Sequence, residues 1–218
     1  MNRSQITRWI AKPIVFAAAL TPFALAVFGL VSGELGPNPA ESLLDSFGEW
    51  GLRILLLTLA ITPLRKITGI GEFIRFRRML GLFAAFYVVL HFLVYAVLDQ
   101  GLNLAYIIED IIERPYITVG FAGLLILLAL TATSPLAARR AMGRRWQQLH
   151  YGIYPAAILA VWHFWWQVKK DITEPLIYAA IVGALLGYRV LSKRQAQRSR
   201  APRRPQPIAT QTPDAPAA

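Results

Sequence analysis

The sequence predicts an all-α protein, a polytopic membrane bundle of six transmembrane helices with both termini in the cytoplasm. Three observations carry that expectation. Fifty-six per cent of the 218 residues are hydrophobic and only 16% are charged, which is more apolar surface than a soluble domain of this length can bury. The apolar residues gather into six runs separated by polar stretches. The charges then sort by side: the N-terminus, the 65–78 and 139–145 loops and the C-terminal region hold 19 of the 23 basic residues. The other loops, with Arg53, hold 10 of the 12 acidic ones, so the positive-inside rule places the basic set in the cytoplasm.

A cytoplasmic segment, residues 1–13, leads into the first run at about 14–32. That run is longer than the 7–15 residues of a signal-peptide core, so it is read as a retained span. Residues 33–49, rich in Gly, Pro and acids, read as an outer loop. The second run, about 50–64, stops at Pro63, and Arg53 near its outer end can snorkel. The third run covers 79–98. In the loop after it, Ile107, Ile108, Ile111 and Ile112 recur at helical spacing among acids, predicting an amphipathic helix on the membrane surface.

The fourth run, about 116–133, ends at Ser134-Pro135. The fifth is WQQLHYGIYPAAILAVWHFWW, 146–166. Lys169, Lys170, Asp171 and Glu174 form a short outer loop, and Pro175 opens the sixth run, which ends near 191. The spans thus make one domain, 14–191. The tail, 192–218, is basic and then rich in Pro, Ala, Gln and Thr, a composition that does not fold alone. Its charge reads as a topology and anionic-lipid feature, and nucleic acid is not expected as a partner. The absence of cysteine excludes disulfides, iron–sulfur clusters and thiolate-held metals.

All three histidines, His91, His150 and His163, lie inside apolar runs, where an ionisable residue reads first as functional. The orientation places His91 and His163 near the outer face on two helices running the same way, and His150 near the inner face. Two imidazoles at one depth suit axial ligation of haem iron, with Phe86, Tyr87, Phe92, Tyr95, Trp162, Phe164, Trp165 and Trp166 around them. An interfacial aromatic belt accounts for the tryptophans equally well, and an interhelical hydrogen bond or a proton relay remains open for the histidines. A closed zinc site wants a fourth ligand that is not in view. Thirteen residues turn an ideal helix about 220° beyond whole turns, so His150 and His163 share a face only if the winding changes near Pro155. Near His150 the third run offers Arg77 and Arg78, poor iron ligands but suited to a haem propionate or a flavin phosphate.

RRMLGL (77–82), His91, RPYITVG (114–120), the SPLAARR region (134–140) and RWQQLHYGIY…WHFWW (145–166) resemble the ferric reductase-like transmembrane family, which includes the membrane half of NADPH oxidases. The resemblance runs from about 10 to 190, and it is strongest to a bacterial inner-membrane branch that serves the repair of oxidised methionine in periplasmic proteins. It implies b-type haem, one or two per chain, and FMN. It also implies electrons passing from the quinone pool to a periplasmic molybdopterin reductase of the MsrP type, which carries the catalytic site. His91, His163 and His150 match the family's haem ligands, and Arg78 stands where the wider family has a fourth histidine. The residues after 191 contain no GxGxxG loop, so electrons are expected from quinol or another protein rather than a nicotinamide. A stand-alone ferric reductase or another cytochrome b subunit is the alternative within the class. A transporter or proton channel using the histidines as relays is the alternative outside it.

Overall fold

The computed structural model describes residues 2–168 and 171–200, and their regular structure is entirely helical. Lys169, Lys170 and the tail beyond 200 lie outside the described residues. Five stretches are long and apolar enough to cross a membrane: Ser4–Ser32, Pro39–Thr68, Arg77–Asp99, Pro115–Ala132 and Thr173–Gln197. The protein is therefore a multi-pass membrane protein.

A short helix α1 (Arg3–Ile6) passes through a π-helical turn into α2 (Lys12–Ser32), which contains Pro22. The proline lacks the N–H that would bond to Ala18 and crowds that carbonyl, so the helix opens locally. The gap is filled from α4 (Arg77–Val94). Tyr87, fully buried at 0% exposure, donates its hydroxyl to the Ala19 carbonyl (2.7 Å) and accepts the Phe23 N–H (3.0 Å). Its oxygen thus stands inside what would be the Phe23–Ala19 helical hydrogen bond. In a core without water this satisfies two backbone groups that would otherwise cost about 1–3 kcal/mol each.

α3 runs Pro39–Thr68, eleven residues further out than its apolar run alone predicts. Residues 39–49 are helix, not outer loop. Asn38 caps it by accepting the Glu41 N–H (3.3 Å), and Pro39 takes the first turn, where a missing N–H costs nothing. Leu43 and Phe47 bury one side while Glu41, Asp45 and Glu49 recur every four residues on another. The acids lower the average hydropathy without breaking the helix. Arg53 is held by Glu49 (2.7 Å), the Tyr178 hydroxyl (2.9 Å) and the face of Trp50.

A π-helical turn extends α4 to Asp99, and α5 (Leu104–Glu113) follows, capped by Asn103. It is amphipathic: Ile107 is buried, Ile108 and Ile112 are exposed, and Asp110 takes hydrogen bonds from Tyr95 and Arg114. α6 is Pro115–Ala132.

The expected fifth span does not form as one helix. The chain makes α7 (Leu136–Met142), α8 (Arg144–His150) and α9 (Ile153–Gln167), with a turn at Tyr151-Gly152. Pro155 sits in the first turn of α9, a comfortable position, so the break falls just ahead of it. α9 rises about 22 Å, short of a core of about 30 Å. α10 starts at Thr173, whose N–H bonds to Asp171 (2.9 Å), and continues to Arg200, past the end of its apolar run.

Two antiparallel helix pairs, α3 with α4 and α6 with α9, form the centre, and α10 lies against α9 and α3. Leu55, Ala84, Tyr87 and Ala157 are sealed where these helices meet. The two pairs bring the histidine-bearing ends of α4 and α9 together.

Candidate functional site: a facing pair of imidazoles

His91, near the end of α4, lies against the start of α3. Its Nδ1 is 2.8 Å from the Leu44 carbonyl, and the neighbouring backbone belongs to Gly48. His163, near the end of α9, lies against the start of α6 in the same way, with Nδ1 2.7 Å from the Tyr116 carbonyl and Gly120 alongside. A Cβ at Gly48 would stand 3.0 Å from the His91 Nδ1, and one at Gly120 2.8 Å from that of His163. A side chain at position 120 would force the His163 ring to move, and one at 48 would need the His91 ring to give by a few tenths of an ångström.

A carbonyl oxygen only accepts, so each Nδ1 carries the proton and donates it. In the neutral ring the other nitrogen, Nε2, then holds a free lone pair. The two ring centres are 6.0 Å apart with planes at 82°. The arrangement offers one nitrogen donor from each of two helices, each ring fixed in tautomer by a backbone acceptor, as ligating histidines are fixed elsewhere. Among the described residues no group of three or more His, Cys, Asp or Glu gathers to hold a metal ion.

His150 is not part of this pair. It ends α8, its Nδ1 is 3.1 Å from the Trp146 carbonyl, and its ring stacks on the Trp146 indole at 3.8 Å. Trp146 is itself pinned by Thr133, through an indole N–H···O bond of 2.8 Å, and by the Arg139 guanidinium over its ring. Arg77 lies within electrostatic reach of His150, whereas Arg78 turns away and donates from Nε to the Ser134 hydroxyl (3.2 Å). The two arginines therefore have different surroundings. Of the expected aromatics, Trp162 and Trp166 pack on each other and stay largely exposed, and Phe164 meets Tyr178 on α10.

Leu44, Gly48, Tyr116 and Gly120 are the site residues that hydropathy and residue type do not pick out. A signal for them exists in an internal repeat with an offset of 72, the separation of His91 from His163. That shift lays Gly48, Gly51 and Leu52 on Gly120, Gly123 and Leu124, Pro63 on Pro135, and AAFYVVLHF (84–92) on AAILAVWHF (156–164). The same shift carries Leu44 onto Tyr116, so the two carbonyl bonds, each spanning 47 residues, are equivalent.

Fold and site together define a multi-pass helical membrane protein built round two equivalent histidine-bearing hairpins. Residues 47–161 match the family described as ferric reductase like transmembrane component. The protein-methionine-sulfoxide reductase heme-binding subunit MsrQ of Xanthomonas oryzae pv. oryzae (strain MAFF 311018) is 48% identical over 216 residues, covering 96% of this chain and 99% of that one. The protein of the same name from Bordetella pertussis is 48% identical over 181 residues, 82% of this chain and 88% of that one. No solved structure matches. The chain belongs to the MsrQ family of ferric reductase-like membrane proteins.

Proposed function

We propose that the chain is a haem-binding electron-transfer subunit of a bacterial inner membrane, with His91 and His163 as the axial ligands of one b-type haem. The observation that carries this is the spacing of the two rings. Metal–nitrogen bonds of about 2 Å put the centres of two axial imidazoles about 6 Å apart, and the rings stand at 6.0 Å. Each ring has its Nδ1 proton committed to a carbonyl, which leaves Nε2 as the donor atom. The two glycines keep the rings from being pushed off line. The name of the Xanthomonas and Bordetella relatives, heme-binding subunit, supports the same reading. Bound there, haem supplies a one-electron carrier within the bundle.

Electrons come from the quinone pool and leave to a periplasmic molybdopterin methionine-sulfoxide reductase of the MsrP type, on which the catalytic site lies. The loop-charge sorting supports an orientation with both termini in the cytoplasm and the histidine pair toward the outer face, α8 and α9 crossing together as the fifth of six spans. The outer segments 33–49 and 99–114 are then the surfaces for the periplasmic partner. His150, with Arg77 nearby, binds a second and more labile haem at the inner face, or contacts FMN or quinone there.

The test is haem content. His91→Ala and His163→Ala should each remove most of the haem while the protein still inserts, and full content with an unchanged spectrum in both would overturn the assignment. In membranes, quinol should reduce the partner through the intact protein. A partner that stays oxidised while the haem is reduced would overturn the route.

A further inference from the structure

Among the described residues, Arg77 and Arg189 in the inner half of the bundle join no carboxylate. Arg189 reaches from α10 into the core, where its Nη2 donates to the Leu59 carbonyl of α3 (3.0 Å) and its Nη1 donates to the Tyr154 hydroxyl. Its Cζ lies 5.0 Å over the Tyr154 ring. Its Nε–H is sealed from solvent and has no hydrogen-bond partner. One turn along α3 from Leu59, the Thr62 hydroxyl is likewise sealed and unpaired. Arg77, at the start of α4, is close enough for its charge to oppose that of Arg189. Among the described residues neither arginine joins an ion pair; the pairs are Arg53–Glu49, Arg75–Glu72 and Arg114–Asp110.

Arginine does not relieve such a site by losing its proton. Two like charges in a region of low dielectric repel, and a buried donor without an acceptor is a further cost. An arginine kept only for packing has no need of a sealed Nε–H without an acceptor, still less within the field of a second cation. Both faults are removed by one anionic oxygen group, which guanidinium forks bind well.

We propose that Arg77 and Arg189 bind the phosphate or carboxylate group of a molecule seated in the bundle, with the Arg189 Nε–H and the Thr62 hydroxyl as its free donors. Tyr154 positions Arg189 through its hydroxyl and ring. Arg78 has no part in it, because its Nε is committed to Ser134. Three sources carry that chemistry: a haem propionate, a flavin phosphate and a phospholipid headgroup. Only the first rests on the haem-binding reading above.

The experiment uses the full-length protein, purified and placed in nanodiscs of mixed phosphatidylglycerol and phosphatidylcholine, as wild type, Arg189→Gln, Arg77→Gln and Arg189→Lys. Haem per chain is read by absorbance, affinity for added FMN by fluorescence titration, and retained phosphatidylglycerol by mass spectrometry. One of the three should fall about tenfold in both Gln variants, the size expected for a lost charge-assisted bond. The fall should be smaller in Arg189→Lys, which keeps the charge but not the guanidinium fork, and the quantity that falls names the source. A fall as large in Arg189→Lys assigns the contribution to the guanidinium N–H donors rather than to the charge, and a lowered unfolding midpoint in an Arg189 variant leaves Arg77→Gln to decide alone. All three quantities unchanged in both Gln variants would overturn the site, as would a loss at Arg189→Gln that Arg77→Gln does not share. A wild type without haem would end the haem-binding reading yet leave the flavin and lipid measurements to decide this one.

Discussion

Gly120 lies so close to His163 that a Cβ on it would come within 2.8 Å of Nδ1 and 2.9 Å of Cε1. Both atoms belong to a ring that cannot bend away without giving up its hydrogen bond to Tyr116. Gly120→Ala should therefore push the imidazole off its carbonyl and lower haem content severalfold while the protein still inserts. The matching change Gly48→Ala, with a closest approach of 3.0 Å to His91, should do the same more mildly. Absorbance per chain in the two variants checks the order, and normal haem in Gly120→Ala would show that the ring position is not what binding requires.

His150 has a different environment, so its loss should look different. His150→Ala removes a ring stacked on Trp146 and leaves His91 and His163 untouched. The expected result is partial loss of haem with the His91–His163 spectrum intact. Wild-type haem content with slower reduction by quinol would instead assign His150 to a quinone or flavin contact.

Tyr87→Phe tests how α2 is fastened. Without the hydroxyl, the Phe23 N–H and Ala19 carbonyl lose the atom that joins them beside Pro22. The loss should lower stability by about 1–3 kcal/mol, measured as an earlier unfolding midpoint in detergent, with haem per folded chain unchanged. An unaltered midpoint would mean that the two backbone groups re-pair directly.

Orientation is checked with reporters. Alkaline phosphatase fused after residue 105 should be active, and fused after 142 or 195 it should be inactive, if the basic loops follow the positive-inside rule. Activity of the 142 fusion would reverse the whole assignment, including which end of the bundle holds the histidine pair.

His91 and His163 were legible because an ionisable side chain inside an apolar run stands out by chemistry alone. Their partners were not. The acceptors are backbone carbonyls of Leu44 and Tyr116, and a carbonyl leaves no mark on residue identity. Gly48 lay hidden for a second reason: Pro39 and the acids before it resemble a loop in any average of hydropathy. The Asn38-Pro39 start of a helix was there to be read as a cap, and it extends α3 over the segment that holds His91. The fifth span shows the opposite failure. Its composition is continuous, but Gly152 and the well-placed Pro155 let the backbone turn, so one apolar run becomes α8 and α9.

A hairpin half as long, present as two separate copies, could have enclosed the same imidazoles in a symmetric dimer. Such a dimer would carry every feature twice, at both ends of the bundle. Joined in one chain, the copies are free to differ, and at the end away from the His91–His163 pair they do. The 72-residue offset that carries His91 onto His163 carries Arg78 onto His150. A guanidinium bonded to Ser134 stands in one hairpin where the other has a ring stacked on Trp146, so the two halves of that end carry unlike chemistry, a difference that no pair of identical subunits possesses.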